Sequence, residues 1–211
     1  MTLGSGRTIS GDGFVNGSFT VASGATLSPG NKDLGALVFS NSLTLNAGCR
    51  TILSVSHDQQ ANNAVSAGTT LTFGGSLVVS NFDDPLQGGD SFKLFSAPAF
   101  AGSFSGITLP ALAQGLYWNT NSLKATGSIS VGIETPPVFG AYGVSGQNFV
   151  MSGTGGITNG NYYVLCSTNI ATPLTNWTRL QTNQFDSSGN FIFSNAINPG
   201  SVQNYYLLQL P

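Results

Sequence analysis

The chain has little charge. Of 211 residues, 6 are Lys or Arg and 8 are Asp or Glu, 7 % in all, against roughly a quarter in ordinary soluble domains. That scarcity excludes several functions. Six basic residues and a net charge of -2 cannot supply the phosphate contacts that nucleic-acid binding requires, and the basic residues form no cluster. Strong helix formers are scarce too, with Glu134 the single glutamate, which argues against a helical bundle. No apolar run approaches the roughly 18 to 20 residues of a membrane-spanning helix. One histidine, His57, and two cysteines exclude, within one chain, a metal site built from several His or Cys ligands. Cys49 and Cys166 are far apart in sequence, so they read as two small buried hydrophobes rather than a disulfide framework. The opening Met1-Thr2-Leu3-Gly4-Ser5-Gly6 lacks the cationic segment and apolar core of a secretory signal. It starts inside what reads as a repeat, as expected of a piece of something longer.

The polarity comes from small uncharged residues. Gly, Ser, Thr and Asn together make up 93 of the 211 positions. Hydrophobic residues at 40 % and aromatics at 10 % still suffice to bury a core, so the chain is expected to fold. Self-similarity then gives the first architectural signal. Three segments align, Ser18 to Leu27, Ser42 to Leu53 and Thr70 to Val79, each an alternating strand that meets a glycine corner and continues into a second strand. The corner glycines fall at 24, 48 and 74, spaced by 24 and 26. A period in the twenties predicts coils of a parallel β-helix, in which glycine takes the positive-φ corners and alternate residues point inward. Ser28-Pro29-Gly30-Asn31 reads as a turn between coils.

After residue 90 the rhythm changes. Phe92 to Phe95, Gly102 to Phe104, Ile107 to Leu109, Leu116 to Trp118 and Ser128 to Val131 are expected to be closing coils and hairpins that cap the solenoid, since an open end exposes apolar side chains and unpaired strand edges. Glu134-Thr135-Pro136-Pro137 reads as a stiff linker, dividing the chain into 1–133, 134–137 and 138–211. The last part holds six alternating segments, Val138 to Val144, Gln147 to Met151, Asn161 to Ser167, Trp177 to Leu180, Asn190 to Ser194 and Asn204 to Leu210. These predict a small antiparallel β-sandwich. Asp186-Ser187-Ser188-Gly189-Asn190 has the composition of a hairpin connection.

The run Val21-Ala22-Ser23-Gly24-Ala25-Thr26-Leu27-Ser28-Pro29-Gly30, followed by Gly35-Ala36-Leu37 and Ser42-Leu43-Thr44-Leu45-Asn46-Ala47-Gly48, resembles bacterial autotransporter-associated β-strand repeats. Leu71 to Val79 and Gly89 to Phe95 resemble the end of such passengers. The similarity spans roughly residues 1 to 131. It implies a right-handed parallel β-helix at the cell surface or released from it, usually a stalk or adhesin without catalytic residues. The tail, Tyr162 to Asn169 and Tyr205 to Pro211, departs from that family. It looks like the small C-terminal β modules of large, repeat-rich secreted bacterial proteins.

Few groups remain that could do chemistry: Asp12, Asp33, Asp58, Asp83, Asp84, Asp90, Glu134, Asp186 and His57. A nucleophilic triad would need His57, whose neighbour Asp58 points to the opposite face if the two lie on a strand; His57 is expected to face solvent. Glycosidases need only two carboxyl groups, so the competing expectation is a small carbohydrate-active enzyme with a pair drawn from Asp58, Asp83, Asp84, Asp90 and Glu134. Asp83-Asp84-Pro85-Leu86-Gln87-Gly88-Gly89-Asp90 reads first as a solvated turn. Its alternatives are a Ca²⁺ loop with Asp83, Asp84 and Asp90 as ligands, or a proton donor beside a base. No other cofactor is expected. Tyr117, Trp118 and Trp177 are of the types that stack on sugar rings, with core packing as the alternative reading. The sequence thus points to a non-catalytic secreted or surface β-solenoid, with polysaccharide or cell-surface components as partners.

Overall fold

Short alternating strands rich in Val, Leu, Phe and Thr cannot bury an apolar face alone, and here they do so by coiling. The structure, a computed structural model, describes residues 1–30 and 33–211. It is nearly all β; helix is confined to Leu123–Thr126 and a 3-10 turn at Leu174–Asn176. The chain divides into two compact units, Met1–Ile133 and Glu134–Pro211.

The first unit is a β-solenoid of about four turns. Three parallel sheets form its walls. The first stacks Thr2–Leu3, Phe19–Val21, Leu43–Leu45, Thr70–Phe73 and Ala99–Gly102. The second stacks Thr8–Gly11, Thr26–Pro29, Arg50–Ser56, Ser76–Asn81 and Gly106–Thr108, and the third Gly13–Val15, Ala36–Phe39, Ala64–Ala67 and Phe95–Ser96. Register places Phe19, Leu43, Leu71 and Phe100 in one interior column, and Leu37, Val65 and Phe95 in another. Both columns belong to a single apolar core that runs through every coil. Aromatic rings fill it towards the later coils, with Phe73 stacked on Phe100 at 5.4 Å and edge-on to Phe95 at 5.1 Å. Outward positions form the complementary ladder Thr2, Thr20, Thr44, Thr72.

The corner between the first and second sheets shows why glycine recurs. In the first three coils it has four residues, and its third is Gly6, Gly24 or Gly48, each with positive φ. Gly6 N–H donates to Gly24 O at 2.9 Å, and Gly24 N–H to Gly48 O at 3.0 Å. In the fourth coil the corner shrinks to Gly74-Gly75, and the positive φ (+63°) sits on Gly75 rather than on Gly74, the glycine expected from the period. Both lie directly over the coil beneath: a Cβ on Gly74 would be 2.1 Å from Leu45 O, and one on Gly75 2.1 Å from Cys49 O.

Two details of the expected solenoid change. Ser28 and Pro29 end a strand instead of making a turn, and Gly30 follows with φ +80°; Asn31 lies outside the described residues. Pro29 is tolerated because the neighbouring strand Arg50–Ser56 pairs only with Thr26 and Leu27, so its missing N–H leaves no gap in that ladder. The region after residue 90 is less of a cap than expected. Ala99–Gly102 and Gly106–Thr108 extend the parallel sheets, and Phe104 lies beyond the strand. Only Ser91–Lys93, Leu116–Asn119 and Ser128–Ile133 form an antiparallel sheet. Its Phe92, Ile129 and Val131 continue the solenoid core.

The second unit has two three-stranded antiparallel sheets. One orders Val138–Ser145, Asn148–Thr154 and Phe191–Ala196; the other orders Thr178–Gln184, Asn161–Ser167 and Tyr205–Gln209. Met151, Tyr162, Val164, Phe185, Phe191 and Phe193 form their shared core. All six expected strands are present. The segment 186–190 is not a hairpin, however, because Thr178–Gln184 and Phe191–Ala196 belong to different sheets. Asp186 closes this arch by accepting from the N–H groups of Ser188 at 2.8 Å and Asn190 at 2.9 Å, while Phe185 and Phe191 on either side enter the core. Both cysteines are free; Cys49 is buried and Cys166 half-buried.

The glycine corners yield a paired test. Gly6→Ala meets nothing within 4 Å and carries only the positive-φ term, so urea denaturation should show a loss of about 1 kcal/mol. Gly75→Ala adds a collision with the backbone of the preceding coil and should lose about 3 kcal/mol.

Candidate functional site

The coils lengthen along the chain, and most of the added length enters at one corner. Between the second and third sheets the first coil has a single residue, Asp12, whereas the third has seven, 57–63, and the fourth thirteen, 82–94. Stacking places these last two excursions against each other. Asp58 and Asp84 are 26 positions apart, the same offset that pairs Arg50 with Ser76 and Val55 with Asn81 in the sheet below. The ladder register thus continues past the strands and brings the two carboxyl groups together.

The excursions are joined by side chains. Ser56 donates its hydroxyl to Asp83 Oδ2. His57 Nδ1 lies 2.9 Å from Asp90 Oδ1 and 3.1 Å from Oδ2. Asp90 is buried, 6 % exposed, and its Oδ2 also accepts the Gln87 N–H at 2.8 Å. Asn62 Nδ2 donates to Lys93 O at 3.0 Å. Beside them opens a cleft of about 590 Å³ lined by His57, Asp58 and Asp84, with Pro85, Leu86 and Leu116 as its apolar part. The expectation of a solvent-facing His57 is therefore corrected: the chain leaves the strand at Ser56 and turns, so strand alternation no longer fixes the direction of the ring, and the ring turns towards the buried Asp90.

The charges perturb one another. The hydrogen bond to Asp90 raises the His57 pKa against the smaller opposing effect of burial, with added help from the charges of Asp90, Asp58 and Asp83. Asp58 is also raised, first by its hydrogen bond to Asp84, then by burial and by the nearby charges of Asp84 and Asp83. Two carboxyl groups in such contact favour holding a proton between them. For Asp90, burial acts upward, but the Gln87 N–H and His57 together outweigh it and the net shift is downward. An oriented imidazole beside neighbouring carboxyl groups in one cleft is an arrangement capable of acid–base chemistry.

Of the expected carboxylates, Asp58, Asp83, Asp84 and Asp90 gather at this corner, whereas Glu134 belongs to the second unit. Of the three Ca²⁺ candidates, Asp90 is engaged by His57 and Gln87 and Asp83 Oδ2 by Ser56, while Asp83 Oδ1 is buried without a partner; among the described residues no group of three or more His, Cys, Asp or Glu side chains is placed to hold a metal ion. The aromatic candidates are all half-buried. Trp118 packs against the solenoid core near Phe92 and donates its indole N–H to Pro110 O at 2.9 Å. Tyr117 lies over Gly132, where a Cβ would come within 2.4 Å of its ring. Trp177 donates to Thr172 O at 2.8 Å. The second unit has its own cleft of about 660 Å³, with the amides of Gln181, Asn183, Gln184 and Asn190 and the carboxylate of Asp186 in its lining.

No protein family, curated protein or solved structure matches this chain. What fold and geometry define is a class: a β-solenoid of about four turns, followed by a small antiparallel β unit. No helix among the described residues is long and apolar enough to cross a membrane.

Packing of Trp118 against the core has a measurable consequence. Trp118→Ala should lower the unfolding free energy by about 3 kcal/mol in urea titrations; a neutral substitution would mean that the indole is free to serve a ligand.

Proposed function

We propose that this chain is a non-catalytic β-solenoid module of a secreted or cell-surface protein, serving as a stalk or adhesive segment. One observation carries the reading: the core and the outward Thr ladder run in register through successive coils. Such a stack is rigid along its axis and presents a regular, uncharged surface. The likeness to autotransporter-associated repeats supports the same role, with polysaccharides or other surface components as its contacts. Antibodies against the folded chain should label intact cells that produce it. Labelling only after lysis would overturn the surface assignment.

A second reading is favoured by the convergence of His57, Asp58, Asp84 and Asp90 in one cleft. It is a small carbohydrate-active enzyme of the glycoside hydrolase or lyase type, with Asp58 and Asp84 supplying the carboxyl pair. Among the described residues, no sugar-stacking aromatic side chain lines this cleft beside them, which leaves the structural role as the better reading. Incubation with a panel of plant and bacterial polysaccharides should release no new reducing ends. Release that is abolished by Asp84→Asn would replace the structural reading with the enzymatic one.

A further inference from the structure

The geometry points to a pH-sensitive clasp: the His57–Asp90 pair fastens the 57–60 turn of the third coil to the 82–90 loop of the fourth, tightest in mildly acidic surroundings and loosened as the pH rises past neutral. The inference stands apart from the proposed role, since it concerns how one corner of the solenoid is held.

The two sides of the clasp are built differently. Asp90 is on the fixed side. Its carboxylate accepts the Gln87 N–H, and its backbone is tied to the capping sheet, with Val131 N–H donating to Asp90 O and Gly89 N–H to Val131 O, each at 2.8 Å. The other side is a short exposed turn, in which Asp58, Gln59 and Gln60 all face solvent. Gln60 has φ +48°, a left-handed conformation disfavoured for a residue with a Cβ. Its N–H donates to His57 O at 3.1 Å. The turn closes the short antiparallel pairing of Val55 with Asn62 and Ser56 with Ala61, and Gln60 adds a pH-independent hydrogen bond to Asp90, so the ionisable His57–Asp90 pair is the part of its attachment to the fixed side that titrates near neutrality. Below it, the Ser56–Asp83 and Asn62–Lys93 contacts pin the base of the excursion, which confines the release to the tip.

Among the described residues, the charges that act on His57 are all acidic. Asp58 on the turn, and Asp83, Asp84 and Asp90 on the facing loop, are acidic; the remaining cleft wall of Ala113, Gln114 and Leu116 carries no charge. The raised His57 pKa means that its contribution is complete below the ordinary value of 6.5 and is lost as pH rises through the folded value. Asp58 is raised as well, so its shared proton is lost on the way up from acid, leaving two carboxylates to repel. Asp90 is lowered from 3.8 and stays ionised until the pH falls below that. The window in which the His57–Asp90 pair is fully made therefore lies between the acid range of Asp90 and the titration of His57, and alkali loosens it.

Because His57 is the single histidine, its ring resonances in an NMR pH titration are unambiguous. The midpoint should lie above 6.5 in the wild type and move down in Asp90→Asn. Hydrogen-exchange protection of the Gln59 and Gln60 amides, corrected for intrinsic rates, should fall between about pH 5.5 and 8.5 by roughly tenfold for each unit by which the His57 pKa is raised. Protection of Leu71 and Leu77 should not follow it. His57→Gln retains an amide donor and folds without touching Asp90; it should abolish the step. A His57 midpoint at 6.5 that ignores Asp90→Asn, or turn protection that stays constant through the His57 titration, would overturn the clasp.

Discussion

Every coil of the solenoid depends on its neighbours for its backbone hydrogen bonds. The wall strands, two to seven residues long, pair in parallel with equivalent residues one coil away, and apart from the short return of Ala61–Asn62 onto the end of Arg50–Ser56 they have no hairpin partner to satisfy their N–H and C=O groups. Register is the consequence. Once Phe19 pairs with Leu43 and Leu43 with Leu71, a slip of one residue in any strand would turn its Leu, Val and Phe side chains out to solvent and its Thr and Ser side chains inward. The low charge follows from the same constraint. Identical positions stack at the spacing of neighbouring strands, where like charges repel, and Ser, Thr and Asn can stack by sharing hydrogen bonds, as Ser42 with Ser18 and Ser54 with Ser80 do at 3.0 Å.

The constraint also explains where variation is allowed. Wall strands and the glycine corner must match from coil to coil, so inserted residues collect where the second sheet passes to the third. There the insertions stack on each other. Polar side chains that would be isolated on a single loop become neighbours of those one coil away, and Asp58 meets Asp84 by the same offset that orders the sheet. A repetitive scaffold thereby produces a non-repetitive corner, with a buried carboxylate, an imidazole and a cleft, without disturbing the core.

Much of the architecture was legible in the sequence because periodic burial leaves a periodic trace. Glycines at 24 and 48 mark equivalent corners, and the alternation of Tyr206 and Leu208 marks a strand with one buried face. Other features were hidden by their dependence on distant residues. The arch at 186–190 has hairpin chemistry, and only the placement of Phe185 and Phe191 in a core between two sheets sends its strands apart. Tyr206 and its neighbours show how the second unit resembles a sandwich in pattern; the pairing order was not in the pattern. At the site, the offset of 26 was available, and it links Asp58 to Asp84. The link from His57 to Asp90 was not, since the fourth excursion is longer than the third and places the partner 33 positions away, outside the offset of 26.

Parallel register between stacked coils underlies the whole first unit, and methyl and aromatic NOEs measure it directly. Contacts of Leu43 with Leu71 and of Val65 with Phe95, residues 28 and 30 positions apart, should be strong throughout the first unit. Their absence, with NOEs instead between strands adjacent in sequence, such as Leu43 opposite Leu53 in a hairpin, would contradict it.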